Sequence, residues 1–258
     1  MNYESTRGGF KDLLSYEAIK EGIAPDGGLF VPQNICKFDE SRINSLVHMD
    51  YHQRAFEILK GYIDDYSESD IMECIKSAYS VDKFDSTDIA PLHILNENTS
   101  ILELWHGPTC AFKDMALQIL PHFLVKAAKM TGESKEIVIL VATSGDTGKA
   151  ALEGFKDVKG TRVIVFFPHN GVSQVQKMQM VTQEGNNVHA IAVEGNFDDA
   201  QNGVKAILTD SEMASKLDTA GFKFSSANSI NWGRLVPQIV YYFSAYADCI
   251  KKGQIAPG

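Results

Sequence analysis

The chain has 258 residues, 24 Lys and Arg against 33 Asp and Glu (net charge −9) and 44% hydrophobic residues. That is the composition of an ordinary folded protein with core enough for one large domain or two small ones, and an acidic balance without any basic cluster excludes a nucleic-acid-binding surface. No apolar run reaches bilayer length, the first residues lack a signal peptide's apolar core, and Cys36, Cys74, Cys110 and Cys249 show no metal-ligand spacing; the expectation is a cytoplasmic protein with no metal site.

In chain order, residues 13–21, 50–62 and 69–79 read as helices. Between the first two lies Ala24-Pro-Asp-Gly-Gly-Leu-Phe-Val-Pro32, whose Asp-Gly-Gly demands a tight turn. After Pro91 the pattern changes to short β-branched runs alternating with longer amphipathic ones. Residues 137–142, 161–167, 188–193 and 223–225 read as strands. Residues 113–130, 148–157, 172–184, 198–217 and 233–251 read as helices. Pro121 and Pro237 fall inside two of these helices and predict a kink or a later start in each. The alternation implies an α/β fold, a mainly parallel sheet with helices on both faces, preceded by a small mainly helical region. We therefore divide the chain into residues 1–90 and an α/β domain over 91–258.

Three loops carry candidate chemistry. The first is Trp105-His-Gly-Pro-Thr-Cys-Ala-Phe-Lys-Asp114. A lysine at the mouth of a helix sits against the positive end of the dipole. That placement favours a neutral, nucleophilic amine, the state that forms a Schiff base with a carbonyl cofactor. Cys110, three residues upstream, reads as a small wall residue, and the other three cysteines as buried apolar ones.

The second loop, Thr143-Ser-Gly-Asp-Thr-Gly148, leaves the strand at 137–142 and opens the next helix. Its small residues free backbone N–H groups to hold an anion. Gly148-Lys149 suggests a phosphate-binding P-loop, but the leading glycine is missing and Ala150 replaces the Ser or Thr that motif needs. Asp146 would repel a dianionic phosphate, so the loop suits a substrate carboxylate or hydroxyl better than a cofactor phosphate. The third loop, Ser225-Ser-Ala-Asn-Ser-Ile-Asn-Trp-Gly-Arg234, offers neutral donors and a guanidinium able to hold a phosphate or carboxylate bidentately. Met178 and Met180 read as core.

Taken together, Ser5-Thr-Arg-Gly8, Ala24–Pro32, His106–Asp114, Ala142–Gly148 and Asn228–Arg234 resemble the threonine synthases, within the fold type II enzymes dependent on pyridoxal phosphate (PLP). The resemblance implies that Lys113 holds PLP as a Schiff base. It further implies that Ser144, Gly145, Asp146 and Thr147 lie beside the cofactor ring or substrate carboxylate, and Thr109, Ser229, Asn231 and Arg234 near a substrate phosphate. The family reaction converts O-phosphohomoserine and water into threonine and phosphate. Family members continue with another strand, a glycine-rich loop for the PLP phosphate, and a later hydroxyl residue facing the pyridine nitrogen. The resemblance thus implies that these 258 residues are an amino-terminal half, truncated at the carboxyl end. The implied partners are a small-molecule substrate and a second copy of the chain, without nucleic acid or membrane.

Two alternatives stay open. Another fold type II enzyme, such as a serine or threonine dehydratase, is disfavoured by the Ser5–Arg7 opening and the His106–Asp114 loop. A non-catalytic module that binds phosphorylated ligands is the other. A dinucleotide-binding domain is excluded, because no Gly-x-Gly-x-x-Gly follows a strand.

Overall fold

The computed structural model describes residues 1–256. In chain order the elements are β1 (Tyr3–Ser5), α1 (Ser15–Glu21), β2 (Phe30–Pro32), α2 (Glu40–Leu46), α3 (Tyr51–Leu59), α4 (Glu68–Ala78), β3 (Leu92–Asn96), β4 (Thr99–Leu102), α5 (Asp114–Leu117) and α6 (Leu120–Met130). There follow β5 (Glu136–Ala142), α7 (Asp146–Phe155), β6 (Thr161–Pro168), α8 (Gln174–Val181), β7 (Val188–Val193), α9 (Phe197–Thr209), α10 (Ser211–Thr219), β8 (Phe222–Ser226), α11 (Trp232–Leu235) and α12 (Pro237–Lys251).

Four strands form a parallel sheet in the order β7-β6-β5-β8. β5 is central and buried at every position after Glu136, as its unbroken apolar run requires of a strand covered on both faces. Ile137, Ile139 and Val141 enter the main core with Ala151, Leu152 and Phe155 of α7 and with Leu120 and Phe123 of α6. Val138, Leu140 and Ala142 face the opposite way, onto Ala200 and Val204 of α9. The main core also includes Tyr3, Ile19, Phe30, Ile58 and Ile75, so residues on either side of position 90 share one apolar interior.

Local chemistry explains where the helices differ from the expected spans. The run 113–130 is not one helix. It breaks into the single turn α5 and the longer α6, which starts with Pro121 in its first turn, where proline is tolerated. The run 233–251 divides likewise, with Pro237 opening α12. Residues 198–217 divide at Asp210, whose carboxylate accepts from the amides of Glu212 and Met213 and starts α10 as α9 ends.

The sheet strands and the helices at 13–21, 50–62 and 69–79 fall within a few residues of expectation. The two antiparallel pairs, β1 with β2 and β3 with β4, and the helix α2 were not expected. The β1–β2 pair brings two quoted motifs together. Asp26 accepts from Ser5 Oγ and from the amides of Gly28 and Gly9, at 2.7, 2.9 and 3.0 Å. Those donors, the Gly28 amide foremost, hold its carboxyl below the ordinary range.

Candidate functional site

The parallel register puts the carboxyl ends of β5 and β8 side by side, with Leu140 opposite Ser226. A doubly wound sheet binds its ligands beyond those ends. The two loops that leave them are pinned together. Asn228 Nδ2 donates to the Ala142 carbonyl at 3.0 Å, and the Ala142 amide donates to Asn228 Oδ1 at 3.3 Å.

Within the loop after β5, Thr143 Oγ1 accepts from the Gly145 and Gly148 amides at 3.0 and 2.9 Å. Gly145 has φ +153°, and a Cβ there would lie 2.3 Å from Gln176 Nε2. The positive φ calls for glycine, and any larger residue would also displace the Gln176 carboxamide. Helix α7 then begins at Asp146, two residues earlier than expected.

The first loop brings Lys113 to this place. Its Nζ lies 3.3 Å from Asp146 Oδ2 and 4.3 Å from the centroid of the Phe112 ring. The Lys113 side chain is 19% exposed and that of Asp146 49%. Gln176 Nε2 donates to Asp146 Oδ1 at 2.7 Å. This bond, with the Lys113 charge, holds the Asp146 carboxyl below its usual range. Contrary to expectation, Lys113 does not sit against a strong helix dipole. The helix it opens is a single turn, too short for much dipole, and the dominant neighbour is a carboxylate.

The loop in front of Lys113 is itself anchored. Asp114 is fully buried and accepts from the Thr109 amide at 2.8 Å and the Thr109 hydroxyl at 2.7 Å. His106 bridges Asp85 Oδ1 at 2.5 Å and Glu103 Oε2 at 2.8 Å, and both carboxylates raise its imidazole above the ordinary value, Glu103 the more. Cys110 is exposed and has φ +55°. A non-glycine residue in the left-handed region carries backbone strain. Of the other cysteines only Cys74 is fully buried. Met180 is core as expected, but Met178 is exposed.

The four residues expected near a substrate phosphate are not equivalent. Thr109 spends both polar groups on Asp114. Asn231, fully buried, donates to the carbonyls of Ile19 and Ser226 and accepts from the Gly233 amide. Arg234 is 2% exposed, and its Nε and Nη1 have no partner among the described residues. Burial brings its guanidinium down to about 10, against the favourable charge of Asp114. Ser229 alone of the four is exposed. Asn231 is therefore a helix cap first, and Arg234 an interior residue with two nitrogens unpartnered among the described residues. Ser144 and Asp146 are exposed, Thr147 is half-buried and Gly145 is buried.

Sequence reading missed Gln176, Asp114 and Asn228 as parts of the site. Gln176 had a local signal, because Ser173-Gln-Val-Gln176 is a capping box. Asp114 bonds Thr109 within its own loop, whereas Asn228 had no local signal, since its partner Ala142 comes from tertiary packing. Among the described residues no acidic, His or Cys group could hold a metal, and no helix is long and apolar enough to cross a membrane.

Residues 2–79 match the family model described as Threonine synthase N terminus. The chain is 43% identical over 246 residues to a threonine synthase of Pseudomonas aeruginosa, covering 95% of this chain and 50% of that protein. It is 44% identical over 251 residues to Threonine synthase-like 1 of Homo sapiens, covering 94% of this chain and 33% of that one. Among solved structures, the PLP-bound threonine synthase of Brucella melitensis superposes with a TM-score of 0.85 at 38% identity, over 96% of this chain and 52% of that chain. The yeast enzyme gives 0.84 at 34%, over 99% and 51%. The chain thus spans about half the length of the threonine synthases it matches. By sequence and by fold it is similar to the amino-terminal half of the threonine synthases.

Proposed function

We propose that this chain supplies the lysine-bearing half of a PLP-dependent threonine synthase, a carbon–oxygen lyase acting on O-phosphohomoserine. The observation that carries the reading is the meeting of Lys113 with Asp146, 33 residues away, where loops from two adjacent strands converge. The chemistry fits PLP at its aldehyde end. A largely buried primary amine stands against the partly exposed Asp146, so an aldehyde can reach the nitrogen from that side. Lys113 would hold the group covalently, with Ser144, Gly145, Asp146 and Thr147 along its flank. When bound, PLP supplies an electron sink for carbanions beside the imine.

The chain's own contribution is positioning and proton transfer. Lys113 Nζ, once exchanged for the substrate amine, is the base that moves protons at Cα and Cβ. Asp146 orients that ammonium between transfers. Ser229, on the exposed surface of its loop, donates to the substrate phosphate. Behind it, Asn231 and Thr109 hold the loops in shape and Arg234 adds positive potential as the phosphate leaves.

In the same reading the boundary near residue 90 separates the mainly helical opening from the catalytic α/β part, the protein works in the cytoplasm, and it self-associates. Product analysis tests the activity. Supplied with PLP and the carboxyl-terminal half of a threonine synthase, the chain should yield threonine and phosphate in equal amounts from O-phosphohomoserine and no 2-oxo acid from serine. A 2-oxo acid from serine would instead favour a dehydratase.

A further inference from the structure

Gln176 lies on an element that contributes no residue to the reaction set out above, yet it touches the Lys113–Asp146 pair directly. The Asp146 carboxylate is held from two sides. Oδ2 faces Lys113 Nζ at 3.3 Å, and Oδ1 accepts from Gln176 Nε2 at 2.7 Å. The far end of the same carboxamide, Oε1, accepts from the Ser173 amide at 3.2 Å and the Ser173 hydroxyl at 3.0 Å. A backbone amide can only donate, so it fixes which end of the carboxamide is oxygen and turns the NH2 towards Asp146. The Ser173 hydroxyl lies 3.2 Å from the Gln176 amide and so anchors the glutamine at the third residue of α8. Gly145 completes the arrangement, since any Cβ there would collide with this carboxamide.

We propose that Gln176 is a positioning residue that holds the Asp146 carboxylate against Lys113. An aspartate half-exposed to solvent would otherwise sample several rotamers, and an ion pair at such a site holds geometry poorly by itself. A hydrogen bond to a carboxylate is among the stronger neutral-to-charged contacts. The amide donor is also uncharged, so it steadies Asp146 without competing with the Lys113 ammonium. Lys113 is the charged side chain paired with Asp146, and Gln176 the neutral one. The functional meaning of this inference rests on the reading of Lys113 as the reactive amine.

The test is the titration of the Asp146 carboxyl, followed by 13C NMR in the whole chain, for wild type, Gln176→Ala and Gln176→Glu. Asp70, held below its usual range chiefly by Lys126 on another part of the molecule, serves as the internal reference. Wild-type Asp146 should titrate below the ordinary range. Gln176→Ala should move its midpoint upward. Gln176→Glu should move it further, because a donor is replaced by a like charge. Asp70 should stay where it is in both. In parallel, borohydride-trapped attachment of PLP to Lys113 should slow several-fold in Gln176→Ala. An Asp146 midpoint unmoved in Gln176→Ala overturns the proposal, and so does a shift shared equally by Asp70, which marks general loosening. Absence of Lys113 labelling in wild type would count against the functional reading instead, and the titration would still decide the role of Gln176.

Discussion

Asp114 takes both polar groups of Thr109, amide and hydroxyl, onto its two carboxylate oxygens with no exposure to solvent. This clamp closes the five-residue loop that ends at Lys113. Thr109→Val keeps the shape and removes the hydroxyl donor from a buried acceptor, so it should destabilise the protein by about 1–3 kcal/mol. The effect is read as a lower urea midpoint with an unchanged slope.

Burial outweighs those bonds and leaves the Asp114 carboxyl above its ordinary value. A raised carboxyl contributes stability that is complete below its unfolded value, near about pH 4, and is lost as pH rises through the folded one. Asp114→Asn should therefore show a smaller fall in urea midpoint than wild type on going from about pH 4 towards neutrality. An equal fall in both proteins would assign the dependence to other groups.

His106 gives a pH dependence of the same sense in a higher window. Its imidazole is raised by Glu103 and Asp85. Its contribution is therefore full below the ordinary histidine value of about 6.5 and declines as pH passes the raised one. Thermal midpoints of wild type should drop across that range more than those of His106→Gln. A matching drop in the variant would show that the bridge is not responsible.

Close packing sets the position of α5 against α7. A Cβ at Gly154 would lie 2.1 Å from the Leu117 carbonyl oxygen, a backbone atom that cannot swing away. Gly154→Ala should force the helices apart, destabilise by about 1–3 kcal/mol or more, and slow PLP attachment at Lys113. Gly203→Ala, inside α9, is the control for tight packing, because nothing lies within 4 Å of a Cβ there and its backbone is helical.

Arg234 and Asp114 are both buried and within electrostatic reach of each other. Removing one takes away part of the other's compensation, although Asp114 keeps its two Thr109 bonds and Arg234 its electrostatic contact with Tyr241. A double-mutant cycle with Arg234→Met and Asp114→Asn should show favourable coupling of roughly 0.5–3 kcal/mol in unfolding free energy. Additivity of the two changes would mean that Arg234 does not serve Asp114.

Fold class was legible because the sheet strands announce themselves locally. Val188–Val193 and the run inside Glu136–Ala142 are short β-branched stretches between helical periods. The pairing of Tyr3–Ser5 with Phe30–Pro32 was not, since three-residue strands far apart in sequence have no period of their own. Helix breaks followed from single residues whose meaning depends on context: Asp210 reads equally well as an exposed helical acid or as a cap. In the site, Lys113 and Asp146 were visible as residue types in unusual loops. The fate of Asn231 and Arg234 was not. Only packing shows that Asn231 already holds the Ile19 and Ser226 carbonyls, and that Arg234 is buried with two nitrogens unpartnered among the described residues.

The central claim is that Lys113 is the amine that takes the cofactor, and direct chemical mapping tests it. The protein is incubated with PLP, reduced with borohydride, digested, and the labelled peptide identified by mass. The account predicts label on the peptide carrying Lys113, close to one equivalent per chain, and its loss in Lys113→Ala with the circular dichroism spectrum unchanged. Label spread over other lysines, or retained at the same stoichiometry in Lys113→Ala, would contradict it.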